Sequence, residues 1–316
     1  MKPFNLFPYD SKFDFMRLRR LSLAVAAAIM LVALGAMVLR GFNFALDFTG
    51  GTSVELRFDK PTDVDDIRSR LERAGHANAQ VQTFGSGNDL LIRLKPKVGA
   101  GGAGTSDTAD AVLRAVTSAE NPAQRMSSGY VGPQVGRELA LNGFYALLFV
   151  VIGFLAYISY RFEWKFAVAA IITTLHDVVV VAGWFALTGH EFDLTVLAGV
   201  LSVMGYSIND TIVVFDRVRE NFRGMRLGPV QVLNKSINQT LSRTVITSFV
   251  ALLTVLALYL YGGGSLRGMT EAQILGIIIG TLSSIFVACP LLLWLGVSKQ
   301  DLVPKARDEA ALARRP

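Results

Sequence analysis

The chain has 316 residues, 52% of them hydrophobic and only 18% charged, with a net charge of +6 and a mean hydropathy of +0.43. A soluble domain carries roughly a quarter charged residues, so a soluble globular enzyme is excluded and a polytopic membrane protein is expected. The basic residues gather at the ends of apolar runs, so the positive balance marks membrane orientation and does not point to nucleic acid.

Cysteine usage narrows the chemistry further. Cys289 is the single cysteine and lies inside an apolar run. That excludes a disulfide framework and a cysteine metal cluster, and it reads as a small core hydrophobe. No metal or cofactor is expected. No cleavable signal peptide is expected either, because the first apolar run is too long for an h-region and no Ala-x-Ala-like site follows it.

Taken in order, residues 1–20 form a basic N-terminal flank with Lys2, Lys12, Arg17, Arg19 and Arg20. The first transmembrane helix, TM1, is expected at 21–39. A polar domain then fills 40–137. Five further spans follow as a bundle over 138–296: TM2 at 139–158, TM3 at 166–187, TM4 at 194–214, TM5 at 244–262 and TM6 at 272–296. A cytoplasmic loop is expected at 216–243, opening with Asp216, Arg217, Arg219, Glu220 and Arg223 as a solvated helical extension with i,i+3 and i,i+4 ion pairs, and a cytoplasmic tail at 297–316. Short segments on the N-terminal side hold 18 Lys or Arg, against one, Arg267, in the two short loops opposite. The positive-inside rule therefore places both termini in the cytoplasm and the long domain on the outer side, which in a Gram-negative cell is the periplasm.

The polar domain alternates in type. Thr52–Phe58 alternates as a strand. The stretch 62–74 opens on Pro61-Thr62-Asp63 and places Val64, Ile67 and Leu71 at helical spacing. Strands at 80–84 and 90–94 flank Gly85-Ser86-Gly87-Asn88-Asp89, a hairpin signal. Val98–Ser106 reads as a flexible loop, 108–119 as a second helix and 124–130 as a last strand. The order β-α-β-β-α-β predicts a small ferredoxin-like α+β domain. It contains no catalytic constellation and no phosphate-binding loop.

Three polar groups interrupt the apolar runs: Ser207-Asn209-Asp210 in TM4, His176-Asp177 midway along TM3, and Arg243 with Thr244, Thr247 and Ser248 at the start of TM5. Ionisable residues within a bilayer are expensive and as a rule functional. A buried carboxylate needs a partner, and a guanidinium is the best one available, so Arg243 is the expected partner of Asp210. Such a pair can load and release a proton. The bland readings are that Asp210 is a packing hydrogen-bond partner, that Arg243 is a snorkelling anchor, and that His176 and Asp177 hold TM3 against TM4. Gly199, Ser202 and Gly205 form a small-residue face on TM4. Gly276 and Gly280 form another on TM6 for close helix packing.

Several motifs together resemble the SecF family, the smaller membrane subunits of bacterial SecDF accessory complexes in the resistance-nodulation-division (RND) superfamily. They are Leu46-Asp47-Phe48-Thr49-Gly50-Gly51 after TM1, His176-Asp177, Gly205-Tyr206-Ser207-Ile208-Asn209-Asp210-Thr211 with the following Phe215-Asp216-Arg217, and Gln239-Thr240-Leu241-Ser242-Arg243-Thr244. The resemblance implies a six-helix half of an RND-type transporter, with SecD supplying the other half. It also implies association with the SecYEG channel, with YajC and YidC as further partners and SecA acting indirectly. Unfolded preprotein would be drawn outward by the proton gradient. Asp210 and Arg243 fall where that family places its proton relay, with a further carboxylate expected on SecD. The implied role is transport, not enzymatic catalysis. Two alternatives share features: half of a small-molecule or lipid exporter, and a passive scaffold for the channel. An intramembrane aspartyl protease using Asp177 and Asp210 is disfavoured, because no Gly-x-Gly-Asp motif precedes Asp210.

Overall fold

The structure is a computed structural model that describes residues 11–76, 79–84, 88–94 and 105–302. The expected hairpin turn at 85–87, most of the 98–106 loop and the tail beyond 302 lie outside those residues. The described chain divides into two compact units. One comprises Asn43–Leu147 with Glu191–Leu197; the other comprises the chain up to Phe42, Leu148–His190 and the chain from Ala198 onward. The second division falls inside one continuous helix, Leu194–Gly224.

Among the described residues, six helices are long and apolar enough to cross a membrane. They are α1 (Arg19–Leu39), α5 (Pro133–Arg161), α6 (Trp164–Thr188), α7 (Leu194–Gly224), α8 (Pro229–Tyr261), and α9 (Gly264–Ser283) continued by α10 (Cys289–Trp294). We keep the names TM1 to TM6 for them. TM3, TM4 and TM6 have half or more of their apolar windows buried within the chain, against 6% for TM2 and 11% for TM5. The first three therefore form the centre of the bundle. Glycine sets their spacing: a Cβ on Gly276 would stand 2.0 Å from a Val203 methyl, and one on Gly280 would stand 3.2 Å from Ser207 Cβ.

One expected element is corrected here. The helical extension expected at 216–223 is present, but the rest of 216–243 is not a loop: TM4 runs to Gly224, TM5 begins at Pro229, and only 225–228 connect them. The charges end the apolar run without ending the helical period. Phe215, Val218 and Phe222 face Val232, Leu233 and Ile237 in one buried cluster, while Arg217 and Glu220 pair at 2.6 Å on the outer surface. Asn221 Nδ2 donates to Ser236 Oγ and to Gln239 Oε1, both at 2.8 Å, and pins the two extensions together. The N-terminal segment is tied down by the same region: Asn234 Oδ1 accepts from Phe15 N–H at 2.8 Å and Asn238 Oδ1 from Phe13 N–H at 3.1 Å.

TM6 carries an irregularity that its composition explains. Between α9 and α10 the residues Ser284–Ala288 form a π-helical turn. Pro290 follows two residues later, after Cys289; it has no N–H to give to the carbonyl four residues back, and its ring crowds that position, so the regular ladder cannot continue through it. Single π turns of this kind recur at functional sites in helices.

The other unit contains a four-stranded antiparallel sheet of order β3-β4-β2-β5, from β2 (Gly51–Phe58), β3 (Gln80–Phe84), β4 (Asp89–Leu94) and β5 (Ala123–Val131). With α3 (Val64–Arg73) and α4 (Thr105–Val116) the chain order is β-α-β-β-α-β. Alternation in β2 sends Val54, Leu56 and Phe58 to one face, where they meet Ile67 and Leu71 of α3 and Ala109, Val112 and Val116 of α4. Asp63 caps α3 by accepting from Asp65 N–H at 3.0 Å. Three short elements escaped the sequence reading: β1 (Asn43–Phe44), α2 (Leu46–Thr49) and β6 (Glu191–Phe192), with β1 and β6 pairing in parallel.

Candidate functional site

Helical geometry separates the polar residues that TM4 brings in a cluster. At 3.6 residues per turn, neighbours stand about 100° apart, so Ser207, Asn209 and Asp210 meet different surroundings. Asn209 is exposed, on the same face as Ala198, Ser202 and Gly205. Gly199 is buried instead against Met269 and Ala272 of TM6, so the expected outward face of Gly199, Ser202 and Gly205 is corrected to Ala198, Ser202, Gly205 and Asn209. No atom lies within 4 Å of where a Gly205 Cβ would be.

Asp210 is 3% exposed. Its Oδ2 lies 3.4 Å from Ser248 Oγ on TM5, and Thr281 Oγ1 on TM6 lies 2.7 Å from that same Ser248 oxygen. Each hydroxyl has one proton to give. Ser248 Oγ is also 2.7 Å from the Thr244 carbonyl, so its proton is contested between a helix carbonyl and the carboxylate. Around them the hydroxyls of Thr211 and Thr244 are buried and have no hydrogen-bond partner among the described residues. Unpaired buried polar groups are rare in folded proteins and mark places that a packing explanation does not cover.

Arg243 stands differently from the expectation. It is exposed, and no ion pair joins it to Asp210 among the described residues. Thr247 is exposed and bonds back to its own helix at the Arg243 carbonyl, 3.0 Å away.

Ser207 belongs to a second network. Asp177 on TM3 is fully buried and accepts from Ser207 Oγ of TM4 at 2.5 Å and from Ser283 Oγ of TM6 at 2.6 Å. His176 Nδ1 lies 2.9 Å from Asp177 Oδ1, and His176 Nε2 is buried without a partner. One carboxylate thus ties TM3 to both TM4 and TM6. Thr281 and Ser283, two residues apart and just before the π turn, reach the two carboxylate networks separately. The sequence reading missed both. Their signal was a cluster of hydroxyl residues (Thr281, Ser283, Ser284) in an otherwise apolar span.

The Asp47-Phe48-Thr49-Gly50-Gly51 segment forms a compact turn in the other unit. Gly50 and Gly51 have φ of 69° and 133°, which side-chain-bearing residues rarely adopt. A Cβ on Gly51 would come 2.3 Å from the Leu94 carbonyl oxygen. Phe48 packs with Phe44 and Phe192 at ring separations of 5.5 and 6.3 Å. Asp47 Oδ2 accepts from Leu194 N–H, the first residue of TM4, at 3.2 Å. Arg93 of β4 is buried and ion-paired with Glu191. Burial pulls its pKa down to about 10, against the opposing pull of Asp193 and Asp47.

Comparison with known proteins agrees with these motifs. Residues 111–298 match the family "Protein export membrane protein SecD/SecF, C-terminal", and residues 35–62 match the SecD/SecF GG motif. The protein translocase subunit SecF of Pseudomonas aeruginosa is 44% identical, over 93% of this chain and 95% of its own length. That of Escherichia coli O157:H7 is 40% identical, over 95% and 93%. The crystal structure of SecDF from Thermus thermophilus, a translocon-associated membrane protein, superposes with a TM-score of 0.82 at 38% identity. This chain is covered to 92% and spans 40% of that longer chain. A SecDF crystal structure in a super-membrane-facing form matches with a TM-score of 0.68 at 37% identity. On the match over most of its length and on these near end-to-end relatives, the chain belongs to the SecF family of protein translocase subunits.

Proposed function

We propose that this chain is one half of a proton-driven device that promotes late, ATP-independent steps of preprotein translocation, working with SecD at the SecYEG channel. The observation that carries it is Asp210, a carboxylate buried among membrane helices whose hydrogen-bond contact among the described residues is a single contested hydroxyl. A carboxylate fixed for structure alone is saturated with donors, as Asp177 is with three neighbours. Asp210 is not, so gaining or losing a proton redistributes its bonds. When ionised it draws the Ser248 proton and attracts Arg243. When protonated it donates to Ser248 Oγ, and Ser248 returns its proton to the Thr244 carbonyl. The bonds that change lie on TM4, TM5 and, through Thr281, TM6. Arg243 supplies the mobile counter-charge, and its exposed position suits a residue that approaches Asp210 in one state of a cycle and leaves it in another.

SecD is the expected partner because the solved SecDF chains are longer than this one and contain its equivalent as a part. The exposed apolar faces of TM2 and TM5 and the small-residue stripe Ala198, Ser202, Gly205 and Asn209 suit close helix contact. YajC and YidC remain further proposed partners, and no cofactor other than the proton is invoked. The chain is a multi-pass membrane protein. Placement in the inner membrane, with both termini cytoplasmic and the β-α-β-β-α-β domain periplasmic, follows from the distribution of basic residues. That domain's chain order and strand order support the ferredoxin-like description. The role is transport, not catalysis. The test is Asp210→Asn in vesicles containing SecD and SecYEG: gradient-driven completion of export is lost if Asp210 carries the proton and persists if the chain is a passive scaffold.

A further inference from the structure

The first turn of TM4 is held by charges from three separate stretches of chain. Asp193 Oδ1 accepts from Val196 N–H and Thr195 Oγ1, both at 2.7 Å, as a helix N-cap does. Asp47 adds a second carboxylate on Leu194 N–H at 3.2 Å. Ala45 N–H donates to the Phe192 carbonyl at 3.0 Å, extending the β1–β6 pair. Arg93, on the central strand β4, then binds Glu191, three residues before the helix begins. A buried ion pair is poor evidence of stabilisation, since desolvating both charges offsets most of their attraction. Arg93 is only 6% exposed, on the face of β4 opposite the core residues Leu90, Ile92 and Leu94, beside Ser53 and Gln80 of the neighbouring strands.

We propose that Arg93 is a positioning residue that couples TM4 to the sheet, so that displacement of TM4 is passed to the small domain through the Arg93–Glu191 pair and the Asp47 cap. Asp210 lies sixteen residues after Leu194 in the same helix. A helix is stiff along its axis, so a shift at Asp210 arrives at Leu194 as a shift of the whole helix end. The cap fastens that end to the segment before β2, and the ion pair fastens the stretch before it to β4. Both attachments reach neighbouring central strands of one sheet. A rigid sheet held at two strands moves as a body, where a single tether would let it swing. The inference rests on the reading of Asp210 as the proton carrier.

The test uses the full chain with SecD and SecYEG in vesicles, measuring gradient-driven completion of preprotein export and proton flux separately. Glu191→Gln and Arg93→Glu are expected to lower export at least about tenfold, in line with breaking one partner of a buried pair, while proton flux persists. The exchanged pair, Arg93→Glu with Glu191→Arg, is expected to recover export to within about threefold of the parent. Export unchanged in the single variants overturns the proposal. So does an exchanged pair no better than the singles, or a loss of proton flux together with export. Asp210→Asn, run alongside, is expected to lose both readouts. If it keeps both, the relay reading fails, and that result is separable from any outcome at Arg93.

Discussion

The Ser248 hydroxyl lies 3.4 Å from the Asp210 carboxylate and 2.7 Å from the Thr244 carbonyl. It therefore sits at the branch point between a helix bond on TM5 and a bond across to TM4. Replacing Ser248 by Ala removes the branch and leaves the carboxylate. A hydrogen bond to a charged group contributes about 1.5–3 kcal/mol, so Ser248→Ala is expected to slow gradient-driven export by about tenfold or somewhat more. Asp210→Asn is expected to abolish it. Export rates of the two variants, normalised to assembled protein, check the order.

Helix spacing around the two networks depends on glycine. Gly276→Leu drives a side chain into Val203, whose methyl stands 2.0 Å from the nearest Cβ position. Overpacking of that kind costs about 1–3 kcal/mol. The expected result is a lower melting temperature that Val203→Ala partly restores. Gly205→Ala, with open space around it, is expected to leave the melting temperature of the isolated chain unchanged.

The paired glycines after TM1 give a sharper prediction. Gly51→Ala meets both an unfavourable φ of 133° and the Leu94 carbonyl oxygen. A residue incompatible with the native backbone destabilises by more than about 1 kcal/mol, and the carbonyl clash adds to it. Proteolysis of the small domain at fixed temperature is expected to accelerate in Gly51→Ala, with digestion of the membrane helices unaffected.

An acid-sensitive contact closes the C-terminal end of TM6. Burial alone pushes the Asp301 carboxyl up, but bonds from Lys165 and Ser298 more than offset it and hold its pKa below the usual value. Lys165 Nζ lies 2.9 Å and Ser298 N–H 2.7 Å from its Oδ2. A depressed carboxylate contributes stability above its unfolded pKa, near 3.9, and loses it as pH falls through the lower folded value. The melting temperatures of the parent and of Asp301→Asn are therefore expected to differ at pH 6 and to converge below about pH 4.

The hydrophobic runs made the six spans legible, and alternation in Thr52–Phe58 and helical spacing in Val64–Leu71 made the small domain legible. The extension of TM4 through 216–223 was legible from its i,i+3 and i,i+4 charges; the early start of TM5 at Pro229 was not, because charge there ends membrane burial but not the helix. Asp210 stood out as a charge in an apolar run. Its contact with Ser248 did not, since a serine in a membrane helix most often bonds back to its own turn, as Ser248 also does. The role of Arg93 was hidden for a different reason. An arginine in an alternating strand reads as an outward residue, and only the fold brings Glu191, almost a hundred residues away, to its side.

The proton on Asp210 can be observed directly by infrared difference spectroscopy of the reconstituted chain with SecD across an acid jump. A protonated carboxyl band that appears in the parent and is missing in Asp210→Asn, with Arg243→Gln shifting the pH at which it appears, is the predicted result. An acid jump that yields the same carboxyl bands in the parent and in Asp210→Asn would contradict it.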